Sequence, residues 1–538
     1  MKFDNILEEV NGLGPFQITL LVLFCIPRIV LPCHFLLNNF IAVLPPHHCD
    51  FSSLDSGSHF RNLTQEQRLT VSIPVGENGG PAACEMFAAP QFQLLANSSN
   101  STKLQTLPCP SGWIYDNSTF TSSMVMEWDL VCDRKSLANM TATTFFIGVM
   151  LGAIVFGYLS DKYGRKSTLL VSYILTTVFG FASAFANSYI MFSVLRFFTG
   201  FSLTGISLIC IVLCKLKMIS LQKLFPNVVI PTFFALTALQ VLSWSLGNML
   251  LAAFAYMVND WRMLILTVTS PLGLAILTWW WIPESARWLL ANGKVERAQF
   301  YLRRCAKFNK RQVSSKFELE VSERLNATGD PFISYLDLIK TPELRKRTLL
   351  TGIMWYGVSL TYYGISMNIT GFGLNVYLTQ FIYAAIEVPA KLMVYFLLRV
   401  IGRRTCQATT LLVTGTCIAI NIFLSKDLWH LRAVITTIGK GFSEAAFTTV
   451  ILYTAELYPT VIRQNALGYN NFMSRLGVSM APLVLLLEDL WTLLPQVIIC
   501  FVAILCGLSC LLLPETRNAT LPESIDDVER LRLVDPGI

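Results

Sequence analysis

Gly157-Tyr158-Leu159-Ser160-Asp161-Lys162-Tyr163-Gly164-Arg165-Lys166 is a charged turn set between two apolar stretches, and a shorter echo, Ile401-Gly402-Arg403-Arg404, stands between two others. A second motif is also doubled: Pro283-Glu284-Ser285 reappears as Pro514-Glu515-Thr516. The two offsets are 238 and 231 residues. Matched turns at matched depth are what two related bundles of helices produce, and such internal repetition is a common design of secondary transporters. The turn itself has a mechanical reading. Asp161 closes one span beside the arginine that opens the next, where a carboxylate also meets the positive end of a helix. Gly164 supplies the tight backbone turn.

Outward from these turns the chain alternates apolar stretches of roughly 20 residues, long enough to cross a bilayer, with short polar links. Twelve are read near 17–40, 143–160, 167–187, 189–214, 232–258, 262–282, 348–368, 376–398, 407–424, 431–455, 464–487 and 491–513. Two long polar insertions interrupt them, at 45–142 and 283–347. The expectation is an all-α membrane protein of twelve transmembrane helices in two six-helix lobes. Its segments are an N-terminus 1–16, a first lobe 17–282 that includes the 45–142 loop, a linker 283–347 with short helices, a second lobe 348–513 and a tail 514–538.

Composition agrees. Of 538 residues, 53% are hydrophobic and 14% charged, against about 25% charged in ordinary soluble domains. A net charge of +7 could point to nucleic acid, but the basic residues sit in short runs beside apolar stretches and mark topology. With spans and the two long loops set aside, 14 Lys and Arg fall on one side and 3 on the other. By the positive-inside rule both termini and the linker are cytoplasmic and 45–142 faces outward. No phosphate-cradling G-x-x-x-x-G-K-[ST] loop, H-E-x-x-H, paired C-x-x-C or G-x-S-x-G occurs, so no enzyme, cofactor or metal is expected.

The outward loop carries sequons at Asn62, Asn97, Asn100 and Asn117 and cysteines at 49, 84, 109 and 132. Four cysteines in an oxidising compartment read as two disulfides, with three pairings open among Cys49, Cys84, Cys109 and Cys132. In the linker, Val295, Ala298, Tyr301, Leu302 and Cys305 recur at helical spacing, which predicts a short amphipathic surface helix bracing the two halves.

Charges inside spans are costly and mark function when they face a wet cavity. The spans hold Arg28, Arg196, Lys391, Lys440 and Arg475 against Glu387 and Glu444. Glu387 and Lys391 stand four residues apart, as do Lys440 and Glu444, so each couple shares one helix face. The arginines lack such neighbours, and the cavity therefore carries excess positive charge that suits an anion. Tyr362, Tyr363, Trp244 and Phe447 offer an apolar, stacking wall. His34, Asn38 and Asn39 form a polar stripe in the first span, read as facing the cavity.

Together these residues resemble a known family. Gly157 to Lys166 is similar to the G-x-L-S-D-R-x-G-R-K signature of the major facilitator superfamily. Pro283-Glu284-Ser285-Ala286-Arg287-Trp288 and Glu456-Leu-Tyr-Pro-Thr-Val-Ile-Arg463 resemble the organic ion transporter family within it, and the glycosylated four-cysteine loop is similar too. The resemblance, nearest to the organic anion branch, covers almost the whole chain. It implies a carrier of small organic anions at the plasma membrane, working by rocking of two lobes, with exchange against a dicarboxylate or other anion and a monomeric transport unit in the lipid bilayer. It implies substrate contacts at Arg475, Lys391, Tyr362, Tyr363, Trp244, Phe447, His34, Asn39 and Ser207. It also implies a conformational latch at Asp161, Gly164, Arg165, Glu456 and Arg463. Anion carriers of the family have a basic residue at the Arg475 position, whereas cation carriers have Asp.

One stretch departs from the pattern. Between the fourth and fifth spans the family shows Glu-Trp followed by Arg, but Cys214 to Pro231 contains no Glu, Asp, Trp or Arg. Two other readings follow: an organic cation or zwitterion carrier using Glu387 and Glu444, or a transport-inactive binding protein.

Overall fold

The structure, a computed structural model, describes residues 14–54, 60, 63–76, 80–96, 105–224, 230–310, 335–368, 375–459, 461–517 and scattered positions of the tail; for 211–241 it gives the backbone course but no side-chain detail. The sequons at Asn62, Asn97 and Asn100 lie outside the described residues.

Twelve long helical segments carry the fold. They are α1 (Pro15–Leu36), α2 (Lys135–Tyr163), α3 (Arg165–Ala184), α4 (Tyr189–Leu224), α5 (Ile230–Met257) and α6 (Trp261–Trp281), then α7 (Pro342–Met367), α8 (Val376–Val400), α9 (Arg403–Phe423), α10 (Trp429–Leu457), α11 (Arg463–Leu486) and α12 (Leu494–Cys510). Among the described residues, seven helices are long and apolar enough to cross a bilayer, namely α1 to α4, α6, α8 and α9. Apolar stretches of α5 and α12 are shorter. The remaining three, α7, α10 and α11, bury polar side chains such as Thr351, Ser359, Lys440, Glu444, Asn470 and Ser474. Helices that carry many polar side chains into the bundle lose apolar character along the way.

Packing within each half is close. In the first, α2 lies on α4 at glycine contacts so tight that a Cβ on Gly148 or Gly152 would fall 2.2 Å from a carbonyl oxygen of α4. The halves meet along α2 with α11 and α5 with α8.

The 45–142 insertion is a small lobe of its own. Strand β1 (His47–Cys49) pairs antiparallel with β4 (Trp113–Tyr115), and β2 (Glu85–Phe87) with β3 (Thr106–Pro108). Disulfides Cys49–Cys109 and Cys84–Cys132 hold it together, which resolves the three pairings. Glu127 anchors it to the start of α6 through Arg262 and the Trp261 indole. Tyr115 donates to Asp129 at 2.9 Å, and burial together with that carboxylate holds the phenol above its usual range.

The linker helix Val295–Phe308 buries Leu302, Cys305 and Ala306 against Phe16 of α1 and against Ala286 and Leu290 of the preceding helix, Ala286–Ala291. Asn309, just beyond it, accepts from the Phe16 amide at 3.1 Å. The helix is therefore seated on the first lobe, where the sequence suggested a brace between the halves.

Candidate functional site

The two doubled turns have the same construction. Gly164 and Gly402, with φ of +98° and +102°, reverse the chain so that α3 and α9 begin with free amides. A carboxylate caps each start: Glu284 accepts from the Arg165 and Lys166 amides at 2.9 and 3.1 Å, and Glu515 from the Arg403 and Arg404 amides at 2.8 and 3.1 Å. Anionic capping of a helix N-terminus satisfies orphan donors and the dipole together. A Cβ at either glycine would come within 2.7 Å of that carboxylate.

The arginines beside these caps pair differently. Arg165 binds Asp161 at 3.1 Å across its own turn. Arg403 instead binds Glu456 of α10 at 3.0 Å, and Glu456 also accepts from Thr516. Arg463 donates to the Tyr458 carbonyl. Of the residues grouped in the latch, Glu456 is thus held by α9, and Arg463 closes the end of its own loop.

At mid-depth, side chains of α8 and α10 form a four-charge cluster. Lys440 reaches Glu387 at 3.2 Å, and Lys391 reaches Glu444 at 3.2 Å and Glu387 at 3.6 Å. The pairing crosses between helices, where sequence spacing placed Lys440 with Glu444. Hydroxyls complete it: Tyr362 and Ser245 donate to Glu387 at 2.6 and 2.8 Å, Lys391 donates to Ser245 at 2.7 Å, and Lys440 to Ser366 at 2.7 Å. The Lys440 ammonium also sits 3.2 Å from the centre of the Tyr362 ring. Two cations and two anions balance. Lys391, expected to help Arg475 attract an anion, has its charge matched by Glu444 and Glu387 in this state.

Arg475 is different. Half-buried in α11, it lies over the Phe35 ring at 5.6 Å and within electrostatic reach of Tyr363. Among the described residues it has no carboxylate partner, and its Nε has no hydrogen bond. Beside it lies an aromatic cluster. Phe35 touches Phe145, Phe146, Trp244 and Tyr363, while Tyr362 packs on Tyr363 and Phe447. The Trp244 indole donates to the Tyr362 hydroxyl at 3.2 Å. Arg475, Tyr362, Tyr363, Trp244 and Phe447 therefore gather at one place, next to the neutral cluster.

Three other candidates do not join them. His34 is completely buried, and Arg196, itself enclosed, lies against it and over the Phe145 ring at 4.5 Å. That pair ties α1 to α4 and encloses the His34 ring in this state. Asn39 donates to the Ser366 carbonyl at 2.8 Å and to Gln380, a bond between lobes rather than a cavity-facing group. Ser207 is buried in α4, and no contact among the described residues joins it to Arg475. Conversely, Ser245 and Phe35 were missed. One of two hydroxyls flanking Trp244, Ser245 had no signal to set it apart from Ser243, and Phe35 looked like any other apolar span residue.

Bonds between the halves also gather at the end of the bundle that carries the 45–142 lobe. Tyr377 of α8 stacks on Phe40 and packs on Phe120 and Tyr256, and Lys135 meets Asp489 at 3.0 Å.

Two repeated six-helix lobes meeting around a polar centre at mid-depth define a multi-pass membrane transporter of the major facilitator fold. The proton:xylose symporter XylE bound to 6-bromo-6-deoxy-D-glucose has the same fold, with a TM-score of 0.59 at 14% identity over 96% of this chain and 99% of its own. Residues 82–527 match the sugar (and other) transporter family. Solute carrier family 22 member 7 of Mus musculus is 42% identical over 98% of both chains, and that of Homo sapiens 42% over 98% of this chain and 96% of its own. Solute carrier family 22 member 6 of Pseudopleuronectes americanus is 36% identical over 98% and 95%. The chain belongs to the sugar (and other) transporter family and, within it, to solute carrier family 22.

Proposed function

We propose that this protein carries small organic anions across the plasma membrane by alternating access, without a cofactor, and exchanges them against a second anion such as a dicarboxylate. The single observation that carries the reading is Arg475, a guanidinium at the edge of an aromatic cluster with no carboxylate partner among the described residues. A cation held in such a place is poorly compensated until an anion arrives, and the ring faces around it suit the apolar body of an amphiphilic substrate. The cluster of Lys391, Lys440, Glu387 and Glu444 is internally balanced, so Arg475 sets the sign. That balance also weakens the organic cation reading, because neither glutamate offers unspent negative charge.

Both termini and the linker lie in the cytoplasm, the 45–142 lobe is extracellular, and Asn62, Asn97, Asn100 and Asn117 carry N-glycans. Contacts around Tyr377 close the extracellular end in this state, and the Asp161–Arg165 and Arg403–Glu456 pairs bias the opposite end. Each transport unit is one chain.

The test is uptake of labelled carboxylates, sulfates and cations by cells expressing Arg475→Asp, with surface protein quantified. Anion uptake should fall to background at normal surface level. Undiminished anion uptake defeats the reading, and substrate binding by the unaltered purified protein with no uptake into vesicles favours a binding protein instead.

A further inference from the structure

The helix Val295–Phe308 spends one face on the first lobe, burying Ala298, Leu302, Cys305 and Ala306. At 3.6 residues per turn the opposite arc is centred on Phe300, with Arg297, Arg303, Arg304 and Lys307 within about 60° of it. Phe300 is 61% exposed. Arg297, Arg304 and Lys307 are exposed as well, and Glu296 is the one acidic residue on the arc. Lys294 and Lys310 flank the helix and are also exposed. A helix that merely faced water would have no reason to set a phenyl ring at the middle of its most basic surface.

Its position points to what covers it. Arg304 stands within electrostatic reach of Lys166, in the first turn of α3. The Lys166 ammonium sits 4.6 Å over the Trp279 ring at the end of α6, where Trp280 and Trp281 are exposed. Exposed tryptophans at the end of a spanning helix mark the headgroup level of the bilayer. The basic arc therefore lies at the same end of the bundle as the headgroup belt. Basic residues around an aromatic side chain are the composition of a helix that rests in an anionic interface.

We propose that this arc is a docking face for anionic phospholipid headgroups, with Phe300 entering the acyl boundary and Arg297, Arg304 and Lys307 holding phosphate oxygens. Because the helix is seated on α1 through Phe16, lipid bound there steadies the first lobe. This goes beyond the transport reading and does not depend on it.

The experiment uses the full chain in nanodiscs of phosphatidylcholine alone or with phosphatidylserine in both leaflets, so the outcome is independent of which side is cytoplasmic. Hydrogen exchange over 295–308 and lipid retention in native mass spectrometry are read for the unaltered protein, Phe300→Ser and the triple variant Arg297→Gln/Arg304→Gln/Lys307→Gln. Phosphatidylserine should slow exchange and be retained. Each basic side chain removed should weaken retention roughly fivefold, and the triple variant on the order of a hundredfold. Phe300→Ser should restore fast exchange although every charge is kept. Equal exchange in the two discs, or retention unchanged in the triple variant, overturns the proposal. So does slowed exchange in phosphatidylcholine discs on adding a soluble acidic peptide, with no effect of phosphatidylserine.

Discussion

Replacing Glu387 by Gln should damage the protein more than almost any other single change at the centre, and adding Lys440→Met should repair most of the damage. Glu387 and Lys440 are each about 1% exposed and 3.2 Å apart. At an effective dielectric of 20 that separation corresponds to about 5 kcal/mol of gross attraction. Removing one member of such a buried pair leaves an uncompensated charge, which costs about 3–5 kcal/mol. In the double variant Lys391 and Glu444 remain at 3.2 Å, the centre is again neutral, and the net cost should be small. The arrangement read from sequence predicts otherwise. If Glu387 served only Lys391 and Lys440 only Glu444, the double variant would strand one charge on each helix and the two losses would add. Melting of the purified single and double variants, with the fraction that elutes as a monodisperse species, distinguishes the cases. A double variant less stable than either single one would refute the crossed pairing.

Gly402→Ala should lower stability by about 1–3 kcal/mol, because the residue sits at φ +102° and the new Cβ would crowd the Glu515 carboxylate at 2.7 Å; a melt of the purified variant reads it. Tyr377→Ala removes three ring contacts at the 45–142 end, each worth about 0.5–1.5 kcal/mol, and should raise labelling of Asn39→Cys by a membrane-impermeant thiol reagent. Asp161→Asn should leave melting nearly unchanged, since the carboxylate is 74% exposed and exposed pairs contribute about 0–1 kcal/mol. Glu456→Ala, which severs Arg403 and Thr516 together, should cost clearly more in the same assay.

How far the sequence could be read depended on how local each cause was. The spans follow from runs of apolar residues, and the turns at Gly164 and Gly402 from glycine beside paired basic residues, so both were legible. Arg475 was legible because a guanidinium within a stretch read as a span is costly wherever the helix points. The partners of the buried charges were not. Spacing along one helix says which side chains share a face, but Lys440 found Glu387 because α8 and α10 lie side by side, which no single-helix argument contains. The partner of His34 was hidden for the same reason. The polarity of the histidine is visible in the chain, while Arg196, 162 residues away and bound to it, is not.

The two doubled turns share a carboxylate cap but pair their arginines differently. In the second lobe Arg403 reaches from α9 to Glu456 near the end of α10, so the ion pair couples two helices and must be remade if they shift. In the first lobe Arg165 turns back to Asp161 on the other side of its own glycine turn, and that pair survives any movement of α4 or α5. An ion pair confined to one turn cannot report on the position of a third helix. Arg403–Glu456 is therefore a cross-helix contact that the second lobe must break and remake at this end of the bundle, while the carboxylate cap at Glu284 keeps the shared turn of the first lobe fixed.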